Sequence, residues 1–146
     1  MIYRSKAPLR IGLAGGGTDV SPNSDLYGGA ILNATISLSA HASIELTDNN
    51  LITVEALDRG EQQSHGCASA LPVDGFLDLL KGVYNRIQKD YPFTPRGFRL
   101  STYVDAPAGS GLGTSSTLVV AVLGAFVEWL KLPLGDYDIA HLAYQI

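Results

Sequence analysis

Residues 106–116 read Ala-Pro-Ala-Gly-Ser-Gly-Leu-Gly-Thr-Ser-Ser, and the long apolar segment Thr114–Leu130 begins within this stretch. Three glycines at alternate positions allow positive φ angles and let a ligand approach the backbone closely. A helix that begins at Thr114 would point its free N–H groups, and the positive end of its dipole, back at the loop. The first helical turn also carries three hydroxyl groups. The stretch therefore predicts a site for phosphate and for a hard cation such as Mg²⁺.

Two other glycine-rich motifs do not fit this loop. The nucleotide P-loop ends in Gly-Lys-Ser/Thr, whereas Gly113 is followed by Thr114 and the loop has no lysine. A dinucleotide fingerprint that started at Gly109 would need glycine at position 114, and no second strand ending in an acidic residue follows. The remaining alternative is a helix start that only needs a tight turn, but three glycines and three hydroxyls exceed what a cap requires.

The rest of the chain predicts a mixture of strands and helices. Apolar alternation with a period of two indicates strands, and apolar residues at helical spacing indicate helices. The predicted strands are Ile2–Ala14, Ala30–Thr47, Leu51–Leu57 and Gly97–Val104, and the predicted helices are Asp74–Asp90, Thr114–Leu130 and one capped by Asp136. The turn signal Asp48-Asn49-Asn50 predicts that the second and third strands form an antiparallel hairpin. We expect loops over residues 23–29 and 58–73.

The last predicted helix ends on its own apolar face. Ile139, Leu142, Ala143 and Ile146 share that face, and no polar tail or helix-ending residue follows them. We therefore expect either a truncated chain or a natural end that docks on a partner. An exposed apolar face of this kind also predicts a homodimer.

Composition narrows the possible partners. The 146 residues carry a formal net charge of −4, which argues against nucleic-acid binding because such binding needs a basic surface. The single cysteine, Cys67, favours a reducing compartment. Basic residues interrupt the N-terminal apolar run, and the apolar stretch 117–127 is shorter than the ~20 residues that span a bilayer. These features predict a cytoplasmic protein without a membrane partner.

The loop at 107–116 resembles the second motif of the GHMP kinases, written P-x-x-x-G-L-G-S-S-A. Thr114 replaces the first serine of that motif and Ser116 replaces its alanine. The resemblance implies that the ATP phosphates are cradled by Pro107, Gly109, Ser110, Gly111, Leu112, Gly113, Thr114, Ser115 and Ser116. It also implies that Ser115 contacts Mg²⁺.

Residues 6–19, which read Lys-Ala-Pro-Leu-Arg-Ile-Gly-Leu-Ala-Gly-Gly-Gly-Thr-Asp, are similar to the first GHMP motif. In the sugar kinases of the family that motif reads A-P-G-R-V-x-x-x-G-x-x-T-D, so Leu9 stands in place of a glycine. The resemblance implies that Arg10 stabilises the phosphoryl group during its transfer, when negative charge develops on the equatorial oxygens. It further implies that the sugar is bound by Gly15, Gly16, Gly17, Thr18 and Asp19.

The triple glycine, together with residues 28–36, looks more like the bacterial heptose-phosphate kinases than like galactokinase. That resemblance implies phosphorylation of the anomeric hydroxyl of D-glycero-D-manno-heptose 7-phosphate, on a route to nucleotide-activated heptose for surface polysaccharides. Fucokinase- or galactokinase-like sugar kinases remain alternatives. So do a non-catalytic nucleotide- or sugar-binding module and a domain that shares only the fold.

The resemblance implies an α+β domain of the ribosomal protein S5 domain 2-like type, with a mostly antiparallel sheet packed on helices. Residues 1–146 would be the ATP- and sugar-binding N-terminal domain in truncated form, without the C-terminal domain. Family members usually have a further Asp and a third glycine-rich motif that cannot be placed here, so we expect this chain alone to be inactive. The three histidines do not cluster at metal-ligand spacing, and Asp74, Asp78 and Asp90 are interpreted as a solvated helix face.

Overall fold

The structure, a computed structural model, describes residues 1–146 as one five-stranded sheet with helices on one face. The strands are β1 (Ile2–Ala14), β2 (Leu32–Leu46), β3 (Leu51–Ala56), β4 (Glu61–Gly66) and β5 (Phe98–Val104). The helices are α1 (Asn23–Tyr27), α2 (Asp78–Asp90), α3 (Thr114–Leu130) and α4 (Asp136–Gln145). The expected α+β class is confirmed. None of the four helices combines the length and apolarity needed to cross a membrane.

The strand order is β1-β2-β5-β3-β4, and every neighbouring pair is antiparallel except β3 and β5, which are parallel. The predicted hairpin of the second and third strands is therefore wrong, because β5 lies between them. The turn signal at 48–50 is real, but it reverses the chain across a gap that β5 later fills. Strand alternation predicts a strand and its buried face, but not which strand is its neighbour.

The core lies between the sheet and helices α2 and α3. Alternate residues of β2, β3 and β5 point into it, and α3 contributes most of its length, as its apolar sequence predicts. The aromatic centre of this core consists of Tyr84, Phe93, Phe98, Phe126 and Trp129. A Cβ added to Gly124 of α3 would lie 2.3 Å from Oγ of Ser5, so the glycine lets α3 approach β1 closely.

Two short elements were missed by sequence reasoning. Strand β4 lies in the expected loop at 58–73, and helix α1 lies in the expected loop at 23–29. Strand β4 is a polar edge strand that pairs only with β3, where the hydroxyls of Thr53 and Ser64 lie 2.9 Å apart. Strand β4 reads Glu-Gln-Gln-Ser-His-Gly and has no apolar residue, so its sequence carries no apolar alternation. Helix α1 has five residues, too few for a periodic pattern.

Helix α2 begins at Asp78 and not at Asp74. Leu77 immediately before it has a left-handed φ of 53°, which a helix cannot continue through. Asp74 and Asp78 keep 38% and 32% of their side-chain surface exposed, but they are not merely a solvated face, because both bind the fully buried Lys81. Asp90, at the other end of the helix, pairs with Arg86 at 2.5 Å.

The apolar face of α4 is largely covered. Leu142 is buried, and Ile139 and Ala143 pack against the core, which leaves only Ile146 exposed. The expected exposed face on the last helix is therefore wrong. Residues 136–146 dock onto α3 because their apolar side chains meet its C-terminal half, and the sequence alone cannot show which element covers which face.

Candidate functional site

The structure brings the two glycine-rich motifs together through Arg10. The Arg10 N–H donates to the carbonyl of Leu112 at 3.1 Å. A Cβ added at Gly113 would lie 3.3 Å from Cζ of Arg10 and 3.4 Å from its Cγ and Nε, so the arginine side chain packs on the glycine. One guanidinium therefore lies at the start of α3. A positive charge at this position suits a phosphate site between the two motifs.

An irregularity in the β1–β2 ladder sets the path of Arg10. Pro8 is opposite Ser39 but Arg10 is opposite Thr35, so one residue of β1 faces three of β2. Such a bulge changes the direction in which the following side chain points. Leu9, at the bulge, is fully buried, so the departure from glycine at this position is accommodated inside the protein.

The first turn of α3 leaves backbone donors free. Gly113 is its N-cap residue, and no side chain caps the helix. The first helical hydrogen bond runs from the Thr117 N–H to the Gly113 carbonyl at 3.0 Å. The amides of Thr114, Ser115 and Ser116 therefore have no acceptor within the helix. Free amides at the positive end of a long helix form an anion site.

The glycine-rich loop has left-handed geometry at all three glycines, with φ of 79° at Gly109, 76° at Gly111 and 72° at Gly113. A Cβ at Gly109 or Gly111 would meet no atom within 4 Å. The glycines there serve the backbone path, since a side chain at positive φ is strained. The space in front of the loop stays open to a ligand.

Asp105 fastens the start of this loop and was missed by sequence reasoning. One of its carboxylate oxygens accepts the Ser39 N–H at 2.8 Å and lies 3.2 Å from Nε2 of His41. The hydrogen bond from the Ser39 amide, followed by that from His41, lowers the pKa of Asp105 below its usual value. A carboxylate between a strand and a Pro-Gly loop is the signal that would have pointed to it.

Hydrogen bonds between the Thr18 hydroxyl and the backbone hold the predicted sugar segment, residues 15–19, in place. The Thr18 hydroxyl lies 2.7 Å from the Gly15 carbonyl and 3.0 Å from the Ala30 carbonyl, and it accepts the Ala30 N–H at 3.2 Å. Asp19 is exposed, and its carboxylate makes no hydrogen bond within the protein. Residues 15–19 make no hydrogen bond to the glycine-rich loop, so the structure joins the two motifs through Arg10 and not through Asp19.

A cavity of about 380 Å³ opens beside the first turn of α3. Thr114, Ser115 and Leu118 line one side, and Gly75 with residues 77–80 lines the other. Ala106, Val104 and Leu79 make much of it apolar, whereas Asp58 and Arg59 bring charge to one part. An apolar cavity next to free helix amides suits a flat ring that carries phosphates. Arg59 and residues 75–80 were not predicted as site residues, because their neighbourhood depends on the fold.

The residues fit a magnesium ion only in company with phosphate. No group of three or more His, Cys, Asp or Glu residues lies close enough together to hold a metal. The exposed Ser115, at the start of α3, offers one hydroxyl. Mg²⁺ is commonly bound by one or two protein oxygens together with substrate phosphates and water.

Comparison with known proteins gives consistent relatives. Residues 78–146 match the GHMP kinases N terminal domain family. The chain is 50% identical over 143 residues to D-glycero-alpha-D-manno-heptose 7-phosphate kinase of Campylobacter jejuni, which covers 98% of this chain and 42% of that protein. It is 30% identical over 137 residues to the galactokinase of Haemophilus influenzae, which covers 92% of this chain and 34% of that protein.

A solved structure shares the whole fold. The crystal structure of a D-glycero-D-manno-heptose 1-phosphate kinase from Bacteroides thetaiotaomicron superposes with a TM-score of 0.93 at 59% identity, over 99% of this chain and 47% of that one. The chain thus spans less than half the length of the relatives it matches. Residues 78–146 thus match the GHMP kinases N terminal domain, and nearly the whole chain is similar in sequence and in fold to proteins named heptose-phosphate kinases.

Proposed function

We propose that this chain forms the ATP- and sugar-binding part of a kinase that transfers the γ-phosphate of ATP to the anomeric hydroxyl of a heptose phosphate. The observation that carries the proposal is the contact of Arg10 with Leu112 and Gly113, which puts a guanidinium beside an uncapped helix start. The identity to relatives named heptose-phosphate kinases supports the acceptor class. A cytoplasmic location fits a protein that consumes ATP.

In this proposal each element of the site has one task. The loop 107–113 and the free amides of residues 114–116 bind the phosphates, and the cavity beside them takes the nucleoside. Arg10 offsets the charge that develops on the transferred group. The free carboxylate of Asp19 accepts hydrogen bonds from sugar hydroxyls, and Gly15–Gly17 give the sugar a side-chain-free surface.

The reaction needs no covalent bond to the protein. The bond between the γ-phosphorus and the ADP oxygen breaks as a bond to the sugar oxygen forms; ADP leaves with the bonding electron pair, and the hydroxyl proton passes to solvent water. The Ser115 hydroxyl would hold magnesium on the protein side, and the ion would supply positive charge that offsets part of the phosphate charge. No residue of this chain is assigned as the proton acceptor. That residues 1–146 alone do not turn over stays a prediction, which an assay of ATP turnover by the purified chain tests.

Calorimetry with MgATP tests the nucleotide half of the proposal. The wild-type chain should bind MgATP, and Gly113→Ala should bind it far more weakly, because its Cβ would press on Arg10 at a φ of 72°. Gly82→Ala is the matched control, since Gly82 lies within α2 and its Cβ would meet nothing within 4 Å. Absence of binding to the wild-type chain would contradict the proposal.

The acceptor is tested by a separate comparison. The names of the two heptose-kinase relatives differ in the phosphate they specify, 7-phosphate in one and 1-phosphate in the other. Thermal shifts of this chain with heptose 7-phosphate, heptose 1-phosphate, galactose and fucose should favour heptose 7-phosphate, because a ligand stabilises the folded state that binds it. A larger shift with galactose or fucose would support the alternative sugar kinases. We do not propose a homodimer through α4, because its apolar face packs on α3.

A further inference from the structure

Lys81 is a buried charge with complete hydrogen bonding. Its side chain on α2 is 0% exposed. Its Nζ lies 2.5 Å from Oδ1 of Asp74 and 3.1 Å from Oδ1 of Asp78, and it donates to Oε1 of Gln63 at 3.1 Å. An ammonium has three donors and here meets three acceptors. Burying a charge is costly unless the charge is paired and hydrogen-bonded, so the groups that compensate Lys81 are informative.

The two carboxylates around Lys81 hold the turn that precedes α2. Asp78 accepts the N–H of Asp74 at 3.1 Å and the N–H of Gly75 at 2.8 Å. Asp74 accepts the N–H of Phe76 at 3.1 Å. This turn contains two left-handed residues, Gly75 with φ of 91° and Leu77 with φ of 53°. A leucine in that conformation is strained and needs its surroundings to hold it.

The same turn forms one wall of the cavity beside the glycine-rich loop. Gly75, Leu77 and Asp78 line the cavity together with the next two residues of α2, opposite Thr114 and Ser115. Lys81 itself does not line it. Its ammonium therefore affects the cavity only indirectly, through the Asp74 and Asp78 carboxylates that hold the wall.

We infer that Lys81 is a positioning residue for the nucleotide: through Asp74 and Asp78 it fixes residues 74–80 as the wall that faces the phosphate loop. This inference rests on the proposed function, which places the nucleoside in that cavity. Burial by itself would lower the pKa of Lys81, but its hydrogen bonds to Asp74 and Asp78 raise that pKa above the usual value, so the lysine stays charged at neutral pH.

The test is MgATP affinity of Lys81→Met in the 146-residue chain, measured by calorimetry. Methionine keeps most of the side-chain volume but removes the three donors. We expect affinity to fall about tenfold, equivalent to about 1.4 kcal/mol of binding free energy. Heptose 7-phosphate affinity should stay unchanged, because no sugar-segment residue contacts this network. Hydrogen exchange at the amides of Gly75 and Phe76 should become faster.

The control is Gln88→Ala. Gln88 is another buried polar residue of α2, but it fastens the opposite end of the helix to Phe93. This variant should lose stability yet keep its affinity for MgATP. Equal loss of affinity in Gln88→Ala, or unchanged affinity in folded Lys81→Met, would overturn the inference.

If Lys81→Met does not fold, the variant Asp74→Asn tests the role of Lys81 instead. It keeps the lysine and the shape of the turn but weakens the closest ion pair, so MgATP binding should weaken in the same direction, and unchanged affinity would overturn the inference. Failure of the wild-type chain to bind MgATP is a different result: the proposed function would then fall, and the role of Lys81 with it. Binding by wild type together with unchanged binding by both variants removes only the role of Lys81.

Discussion

In the segment Gly15–Gly17 a Cβ added to the first glycine would lie 1.9 Å from the Ala30 carbonyl oxygen, whereas in the loop Gly109–Gly113 a Cβ on either of the first two glycines would meet nothing within 4 Å. The two segments have similar composition but use glycine differently. In the first, Gly15 makes room for the protein's own backbone. In the second, Gly109 and Gly111 permit a left-handed path and leave the space free. Gly15 therefore serves stability, whereas Gly109 and Gly111 serve the geometry of the proposed binding loop.

The largest expected effect is on the closed segment. Gly15→Ala places a methyl group against the Ala30 carbonyl at a φ of 77°, so it should lower the free energy of unfolding by about 3 kcal/mol or more. Urea denaturation measures this. Gly16→Ala is the control, because its Cβ would have no neighbour within 4 Å and its φ is not left-handed. Similar stability losses in both variants would contradict the distinction.

The open loop should lose less stability than the closed segment but more affinity for MgATP. Gly111→Ala introduces strain at a φ of 76° without a clash, so the stability loss should be about 1–2 kcal/mol. Its affinity for MgATP should fall by more than that free energy, because the backbone donors of the loop change direction. Calorimetry and urea denaturation of the same preparation give both values. A variant that loses stability but binds normally would show that the loop is not the phosphate site.

The ties of Thr18 sharpen the comparison further. Thr18→Val removes the hydroxyl that bridges Gly15 and Ala30, which should cost about 1 kcal/mol of unfolding free energy. Thr35→Val in β2 is the matched control, because the Thr35 side chain is exposed and makes no hydrogen bond within the protein. The difference between the two variants in urea denaturation isolates the bridge. No difference would mean that the close packing of Gly15 on Ala30 is sufficient to hold the segment.

Acid should distinguish the two segments by the smallest effect. Hydrogen bonds from Lys81 and Gln63 lower the pKa of Asp74, and the pKa of Asp78 is lowered against the opposing effect of burial, by the Gly75 amide and then Lys81. Groups with a lowered folded pKa stabilise the protein fully above their ordinary pKa of about 4, and that stabilisation is lost as the pH falls through the folded value.

The wall that faces the open loop should therefore open progressively more readily as the pH falls below about 4, because Asp74 and Asp78 bind protons first in the open state, whereas the Thr18 ties contain no titrating group. Hydrogen exchange at Gly75 and Phe76, compared with Ala30, measures the difference between pH 5 and pH 3 after correction for intrinsic rates. The double variant Asp74→Asn, Asp78→Asn should show little of this pH dependence. Parallel loosening of both regions in the wild type would contradict the prediction.

Much of the fold could be predicted because its signals are local. Strand β1 and helix α3 have the bounds that the sequence predicts. Short apolar runs before Gly15 leave few alternatives for β1, and the apolar segment before Pro133 leaves few for α3. The position of β5 between β2 and β3 could not be predicted, because parallel pairing of β3 depends on residues more than forty positions away. Strand β4 was missed because its polar residues carry no alternating pattern.

The site divides in the same way. Its two motifs were recognisable as sequences, but the contact between Arg10 and Gly113 exists only because α3 packs across β1. Lys81 had a weak signal, a lysine on the apolar face of a helix with aspartates three and seven residues before it. The network around Lys81 was missed because those aspartates were interpreted as solvated. Residue spacing alone does not show which face of α2 the preceding turn covers.

Strand β5 has a consequence for the order in which the molecule is built. Until residues 98–104 leave the ribosome, β2 and β3 each present an unpaired edge, and the sheet consists of two separate ribbons. The polypeptide that fills this gap continues directly into the glycine-rich loop at 106–113. We therefore expect a nascent chain that stops before residue 98 to be prone to aggregation, and ligand competence to arise only once the sheet has closed.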